Sequence, residues 1–287
     1  MEKGTPYRAS FLCKTMRKNL FWIPLLLFTL LTLLPILWCI SASFKHPIEL
    51  YQTPPTIIPR TFTVEAYYRA VTFPGFPRYL ANSVILAITS TAIALFVSVI
   101  AGYGFARYTF WMRSVLLIMI LVPRILPRAA LIVPLYEIFA PLGLIDTYTV
   151  LILTYTATAI PLGTWILIGF FQSVPKELEE SAILDGANLL QILWKIVAPV
   201  SLPGILTVIV VSFVQSWNEF PFVLALTSSP QMRTLPYQLY FLRDTLGLPD
   251  WPLLNAFTII TIIPILVLYI RFEKNIVSGI LSGALKG

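Results

Sequence analysis

Side chains that could carry out chemistry are scarce in this sequence. Its 287 residues include one histidine, His46, and two cysteines, Cys13 and Cys39. These are too few for a His/Cys metal site, a disulfide framework or a histidine-based catalytic triad. No Gly-Lys dipeptide occurs, so the phosphate loop that would cradle ATP is absent from the sequence as well. The sequence therefore predicts a chain without a catalytic centre, a metal or a cofactor of its own.

The composition indicates a membrane protein. Hydrophobic residues make up 57% of the chain and charged residues 11%, with a mean hydropathy of +0.83. A soluble domain is roughly 45–50% apolar and about 25% charged. The net charge of +7 on so apolar a chain points to charge asymmetry across a bilayer and not to a nucleic-acid partner. A soluble enzyme and a nucleic-acid-binding protein are thereby excluded.

Six stretches are long and apolar enough to span a bilayer as helices, which takes about 20 residues each. They are 21–40, 79–103, 115–139, 149–171, 202–226 and 253–270. Arg124, Arg128 and three prolines interrupt the third stretch. Two interpretations stay open there: one span, or a span that stops near Leu126 and continues as an outer segment. The predicted fold class is an all-α integral membrane protein with six transmembrane helices.

The cationic residues predict the orientation. An even number of spans places both termini on one side, and that side collects twelve cations: Lys3, Arg8, Lys14, Arg17, Lys18, Arg107, Arg113, Lys176, Lys195, Arg271, Lys274 and Lys286. The other side has six: Lys45, Arg60, Arg69, Arg78, Arg233 and Arg243. Both termini are therefore expected in the cytoplasm. A removable signal peptide is the alternative for the first stretch, but its run of about 20 apolar residues exceeds the usual 7–15.

The prolines between the predicted spans indicate how the chain is organised. Six prolines between Ser43 and Arg78 are too many for a helix interior, so an extended external strap is expected there. The predicted parts are a cytoplasmic N-terminal tail (1–20), the first helix with its strap (21–78), a core of five helices (79–270) and a cytoplasmic C-terminal tail (271–287).

The most informative stretch is the predicted cytoplasmic loop 173–203. Glu177 lies where the first turn of a short helix would present its positive end, and Gly186 supplies a left-handed stop. Asn188 then caps a second helix, with Gln191 three residues on. The loop therefore reads as two short helices around a glycine.

This stretch resembles the "EAA" loop of the inner-membrane permeases of binding-protein-dependent ABC importers, and is called the EAA loop below. The family pattern E-A-A-x-x-D-G-A is matched by Glu180, Ser181, Ala182, Asp185, Gly186 and Ala187, with serine at the first alanine. In that family the loop seats in a cleft of an ATPase subunit. The resemblance implies that these residues, with Glu177, couple the chain to an ATPase. The alternative is an ordinary amphipathic hairpin on the membrane surface.

The resemblance continues along the chain. A-G-Y-G-F-A-R-Y at 101–108, S-W-N-E-F at 216–220 and the tail G-I-L-S-G-A-L-K-G at 279–287 are similar to the carbohydrate branch, nearest in pattern to the smaller maltose-type permease subunit. This implies a type I ABC importer permease fold in a bacterial or archaeal cytoplasmic membrane. It also implies partners: a second, non-identical permease, two ATPase subunits that bind ATP and Mg, and an external solute-binding protein.

Polar residues in the spans are the candidates for a solute pathway, because charges inside a membrane usually face a cavity or a partner. The candidates are Arg124, Arg128, Asn82, Trp217, Asn218 and Glu219. Arg124 and Arg128 are four residues apart, which predicts one helical face. Either arginine could instead snorkel to the interface, or pair with Glu137 or Glu219 as a bridge between helices.

The expected function is import of a carbohydrate, with a phosphorylated solute such as glycerol phosphate as the alternative that the two arginines would serve. A secondary transporter or an integral membrane enzyme is disfavoured. The sequence shows no internal inverted repeat of the kind common in secondary transporters, and neither class would use a docking helix. The identity of the solute is not encoded in a readable motif.

Overall fold

Residues 7–244 and 249–284 are described by the structure, a computed structural model, with side chains described over 22–243 and 249–274. Parts of both predicted tails lie outside these residues. The regular elements of the described chain are helical. The contacts divide it into two compact units, one of residues up to 70 together with 249–259, the other of 71–244 together with 260–284.

The first unit contains helix α1 (Tyr7–Ser43) and two short helices, α2 (Pro47–Leu50) and α3 (Glu65–Val71), the last of which ends in the second unit. Helix α1 begins well inside the predicted N-terminal tail. Its side chains from 22 to 38 are all exposed, as expected of an apolar helix that faces lipid or a partner. Two segments of the strap are helical, Pro47–Leu50 and Glu65–Val71, so the prediction of an extended strap was wrong there.

Buried polar contacts fix the strap. The Glu49 carboxylate accepts hydrogen bonds from the Thr56 hydroxyl at 2.6 Å and from the Arg60 backbone N–H at 3.0 Å, which hold the pKa of Glu49 below its ordinary value. Lys45 is buried, donates to the carbonyl of Thr56 and lies 4.7 Å from the ring centre of Trp38. Side-chain contacts therefore hold the segment between α2 and α3, which has no regular secondary structure.

The core of the second unit is formed by helices α4 (Phe76–Arg107), α7 (Tyr148–Ser173) and α11 (Leu202–Trp217). Glycines let these helices approach closely, as is usual between membrane helices. A Cβ atom on Gly163 of α7 would lie 2.5 Å from Ser98 Oγ and 3.1 Å from Val208 Cγ1. One on Gly204 of α11 would lie 2.4 Å from the ring of Phe170.

The remaining helices of the described chain are α5 (Arg113–Ile125), α6 (Arg128–Phe139), α8 (Lys176–Leu184), α9 (Leu189–Ile192), α10 (Ala198–Val200), α12 (Pro221–Leu226), α13 (Leu235–Asp244) and α14 (Trp251–Ala284). A π-helical turn, Leu193–Val197, joins α9 to α10, and a 3-10 turn covers Pro230–Met232. Helix α14 runs past Arg271 and Lys274, so the described chain stays helical into the predicted C-terminal tail.

The predicted spans are confirmed in part. Within the described residues, four helices are long and apolar enough to cross a membrane: Trp22–Ser43, Phe76–Arg107, Tyr148–Ser173 and Trp251–Lys274. Two bent pairs raise the number to six if each is one span: Arg113–Ile125 with Arg128–Phe139, bent by 102°, and Leu189–Val200 with Leu202–Trp217, bent by 83°. The third span stops where Pro127 disfavours a helical conformation for Leu126, as one of the two interpretations predicted. The fifth stops at Trp217, nine residues earlier than predicted.

Asp146 fixes the segment that follows α12. Its backbone N–H donates to the carbonyl of Leu226 at 2.9 Å, and its carboxylate accepts from the N–H groups of Ser228 and Ser229, both at 3.0 Å. Partial burial opposes the charged form, but the hydrogen bonds from Ser229 and Ser228 prevail and lower the pKa of Asp146. The loop before α7 and the segment after α12 are thereby held together.

The close packing of α7 predicts unequal effects of one substitution at two glycines. Gly163→Val should lower the melting temperature of the purified protein, because the added methyl groups collide with Ser98 and Val208, and overpacking costs about 1–3 kcal/mol. Gly169→Val is the matched control, since it places the same side chain on the same helix where no atom lies within 4 Å. Equal melting temperatures for the two variants would contradict this packing.

Candidate functional site

The EAA loop has the predicted two-helix form. Helix α8 ends before Gly186, which has φ +84°, and the Ala187 N–H closes the turn on the carbonyl of Ala182 at 2.9 Å. Asn188 caps α9: its side chain accepts from the Gln191 N–H at 2.9 Å, and its own N–H donates to the Gln191 side chain at 2.8 Å. The glycine stop and the capping box are therefore both confirmed.

Most residues that match the EAA pattern lie on the exposed side of the loop. Exposed members of the predicted set are Glu177, Glu180, Ser181, Asp185 and Gly186, whereas Ala182 is buried and Ala187 half-buried. Ile183 and Leu184 add apolar surface beside them, with Leu184 88% exposed. Large apolar side chains next to carboxylates make a surface suited to another protein.

Glu179 was not among the predicted site residues, but it makes the main polar contact of α8 with the core. It is buried, one oxygen accepts from the Tyr103 hydroxyl at 2.7 Å, and the other accepts from Arg107 Nε at 2.6 Å. Arg107 also donates to the carbonyl of Val174 at 2.9 Å. The side chains of Arg107 and Glu179 are only 8% and 11% exposed, so this is a buried ion pair. It fastens α8 to the C-terminal end of α4.

A signal for this ion pair was present in the sequence. Tyr103 and Arg107 are four residues apart on α4 and therefore share a face. Glu179 is three residues before Ala182, on the side of α8 that the core covers. The family pattern drew attention to Glu180 instead, which is exposed.

A cavity of about 600 Å³ lies among α5, α6, α7, α11 and α12. Its apolar lining comes from proline, leucine, alanine and phenylalanine side chains, and its polar lining residues are Arg124, Arg128, Thr154, Thr158 and Gln215. This volume and this mixture of an apolar wall with few polar groups are typical of small-molecule sites. The cavity is therefore the candidate for the solute pathway.

The two arginines do not share a helical face, and that prediction was wrong. Arg124 belongs to α5, whereas Arg128 opens α6 after the break at Leu126 and Pro127, across an angle of 102°. Both nevertheless line the cavity. Arg128 pairs with the carboxylate of Glu219, whose side chain is 1% exposed, so the bridge between helices that the sequence left open is present for this arginine. No carboxylate pairs with Arg124 in the part of the chain that the structure describes.

The other pathway candidates lie outside the cavity lining. Asn82 is buried, donates to the carbonyls of Gln231 and Arg233, both at 2.8 Å, and accepts from the Tyr148 hydroxyl at 2.5 Å. The structure therefore uses Asn82 to hold the segment after α12.

Trp217 is the last residue of α11 and Asn218 comes directly after it. Neither residue lines the cavity. Trp217 is 1% exposed, stacks on Phe213 and donates from its indole N–H to the carbonyl of Thr261 at 3.1 Å. Asn218 is exposed. Of the six candidates, Arg124 and Arg128 line the cavity directly, and Glu219 reaches it through Arg128.

A comparison with known families identifies the family of the chain that contains the EAA loop and the cavity. The family described as "binding-protein-dependent transport system inner membrane component" matches residues 94–281, which include the EAA loop and the cavity lining. The chain belongs to this family. The resemblance carried by the EAA loop is thereby confirmed, and the protein is an inner-membrane transport permease.

Curated relatives cover most of the chain. The sulfoquinovosyl glycerol transport system permease of Agrobacterium fabrum is 35% identical over 255 residues, 89% of each chain. The trehalose/maltose transport system permease of Thermococcus litoralis is 32% identical over 276 residues, 96% of this chain and 99% of that one. Both are permease proteins of sugar transport systems, as the carbohydrate resemblance predicted.

Solved structures share the fold. A chain of a bacterial ABC transporter involved in the import of the acidic polysaccharide alginate matches with a TM-score of 0.79 and 20% identity, over 96% of this chain and 99% of that one. The alginate transporter in complex with its alginate pentasaccharide-bound periplasmic protein matches with a TM-score of 0.65 and 16% identity. The fold is therefore that of an ABC transporter permease.

The buried ion pair predicts a difference between two neighbouring glutamates. Glu179→Gln should lower the melting temperature of the purified protein strongly, because it leaves the Arg107 charge buried without a partner, which costs about 3–5 kcal/mol. Glu180→Gln is the matched control and should stay within about 0.5 kcal/mol of the wild type, as exposed positions do. Adding Arg107→Met to Glu179→Gln should restore part of the loss. Equal effects of the two glutamine variants would contradict the pairing.

Proposed function

We propose that this chain is one of two permease subunits of an ATP-driven importer and forms half of the path by which a carbohydrate crosses the cytoplasmic membrane of a bacterium or archaeon. Family membership with the exposed EAA loop is the observation that carries the proposal. The solute class is supported by relatives that transport sulfoquinovosyl glycerol and trehalose or maltose. Six spans with both termini in the cytoplasm complete the proposed topology.

The proposed partners supply what the chain lacks. Its sequence has no phosphate loop, so two ATPase subunits would bind ATP and Mg and perform the hydrolysis. A second, non-identical permease would close the pathway. An external solute-binding protein would deliver the solute, and the alginate transporter in complex with its periplasmic protein supports that expectation.

The proposed coupling runs through the two sides of α8. Its exposed side, with Glu177, Glu180 and Leu184, would seat against an ATPase subunit. Its buried side carries Glu179, which is fastened to Arg107 and Tyr103 at the end of α4. A displacement of α8 by the ATPase would therefore move α4, which is packed along α7 and α11.

A phosphorylated solute such as glycerol phosphate is the second candidate. Two arginines in one cavity favour it, since guanidinium groups bind phosphate well. The ion pair between Arg128 and Glu219 weakens it, because one of the two cations is already neutralised. The carbohydrate assignment is therefore retained as the first.

The function is tested by purifying the assembled complex and measuring ATP hydrolysis with the external binding protein and a panel of sugars. We expect hydrolysis to rise only when the binding protein and its sugar are both present. Full stimulation without any binding protein would contradict the importer class. If glycerol phosphate stimulates hydrolysis and none of the sugars does, the result would favour the second candidate.

The glycine stop of the EAA loop gives a sharper test of coupling. Gly186→Val should leave the complex assembled but reduce uptake, because a β-branched residue resists the left-handed conformation at φ +84° and would displace the docking surface. Gly143→Val is the matched control, with the same conformational conflict at φ +66° in the loop before α7, and no atom lies within 4 Å of a Cβ at either glycine. Normal uptake by Gly186→Val, or an equal loss in both variants, would contradict the coupling role.

A further inference from the structure

The charges that line the cavity are unbalanced. Arg124 and Arg128 both contribute to its wall, and the neighbouring Glu219 carboxylate pairs with Arg128. Among the described residues, no aspartate or glutamate lines the wall itself. Arg124 is therefore the guanidinium of the cavity wall that has no carboxylate partner within the described part of the chain.

Arg124 is exposed and lines the cavity, so its guanidinium can reach an anion there. Charged side chains inside membrane spans are costly and are usually paired, or they serve a pathway for solutes or ions. Arg124 lies in the last turn of α5, two residues before the break at Leu126, so its side chain is placed where the span opens into the cavity. Glu219 is buried against Arg128 and is already engaged.

We propose that the cavity binds a sugar with a single negatively charged group, a carboxylate or a sulfonate, and that Arg124 is the residue that binds this group. The proposal rests on the proposed function, in which this cavity is part of the solute path. A guanidinium presents two parallel N–H donors that match the two oxygens of a carboxylate or sulfonate.

The rest of the lining suits the remainder of such a sugar. The Gln215 amide offers a donor and an acceptor for ring hydroxyls, and the Thr158 hydroxyl, which donates to the carbonyl of Tyr155 at 2.9 Å, keeps its acceptor capacity. Phe139 provides an apolar face for the C–H side of a sugar ring. The one cavity arginine that is unpaired within the described residues matches a singly charged group, whereas a dianionic phosphate would need both arginines.

A carboxylate from the second permease subunit is the competing partner for Arg124. Chemical modification of arginine separates the two sources. In the complete purified complex, phenylglyoxal would be applied with glucose, with glucuronate, with 6-deoxy-6-sulfoglucose or with no sugar, and modification of each arginine measured by mass spectrometry. Arg243, which is exposed on α13, serves as the internal control.

We expect Arg124 to react when no sugar or only glucose is present, and to be protected by at least one of the two anionic sugars. Arg243 should react equally in all four samples. An Arg124 that reacts at the same rate in all of them would overturn the proposal. So would an Arg124 that is unreactive in all of them, because a carboxylate of the partner permease would then hold it.

A second measurement uses the affinity for the sugar that protects. Arg124→Gln should raise the Kd of that sugar for the complex about tenfold, as expected for loss of a charge-assisted hydrogen bond. Arg124→Lys should raise it less, and Arg243→Gln should not change it. An unchanged Kd in Arg124→Gln would overturn the proposal.

The same preparation distinguishes this proposal from the proposed function. If the binding protein stimulates ATP hydrolysis but no sugar changes the modification of Arg124, the importer assignment is supported and the proposed anion site is wrong. If the binding protein does not stimulate ATP hydrolysis, the importer assignment is wrong, and so is the anion site, which depends on it.

Discussion

The buried ion pair between Glu179 and Arg107 is the contact that fastens the EAA loop to the helical core. Two charges removed from water are tolerated only because each has a partner and further hydrogen bonds, here from Tyr103 and to the carbonyl of Val174. The pair joins a short helix with one exposed side to a long helix in the core. Arg107 thus holds the EAA loop at two points, the Glu179 carboxylate and the Val174 carbonyl.

A second constraint comes from the bilayer, which leaves no water for unpaired backbone groups. Breaks in a spanning helix are therefore confined to places where protein or a cavity surrounds them. In the described chain, α5 and α6 are separated by a break at Leu126 and Pro127, and α11 ends at Trp217, shortly before Glu219. The residues beside these two breaks line or support the same cavity. At the first break, Pro127 thus sets both the bend between α5 and α6 and the position of Arg128.

Local rules predicted the parts of the fold that depend on neighbours in sequence. Gly186 and Asn188 behave as a helix stop and a helix cap because their backbone and side-chain preferences act over three or four residues. Contacts between distant segments could not be derived in this way. Glu179 pairs with Arg107, which lies 72 residues earlier in the chain. Asn82 donates to the carbonyl of Gln231, which lies 149 residues later. The sequence left Glu137 and Glu219 as possible partners of Arg128. The packing of distant segments places Glu219 beside it.

The central claim is that α8 and the end of α4 move as one body when the ATPase changes state. Paired spin labels at Lys176→Cys and Ile100→Cys, both at exposed positions, would report it in the assembled complex with Cys13 and Cys39 replaced by serine. The account predicts the same distance distribution between the two labels in the nucleotide-free complex and in the ATP-bound complex. A distribution that shifts when ATP binds would contradict it.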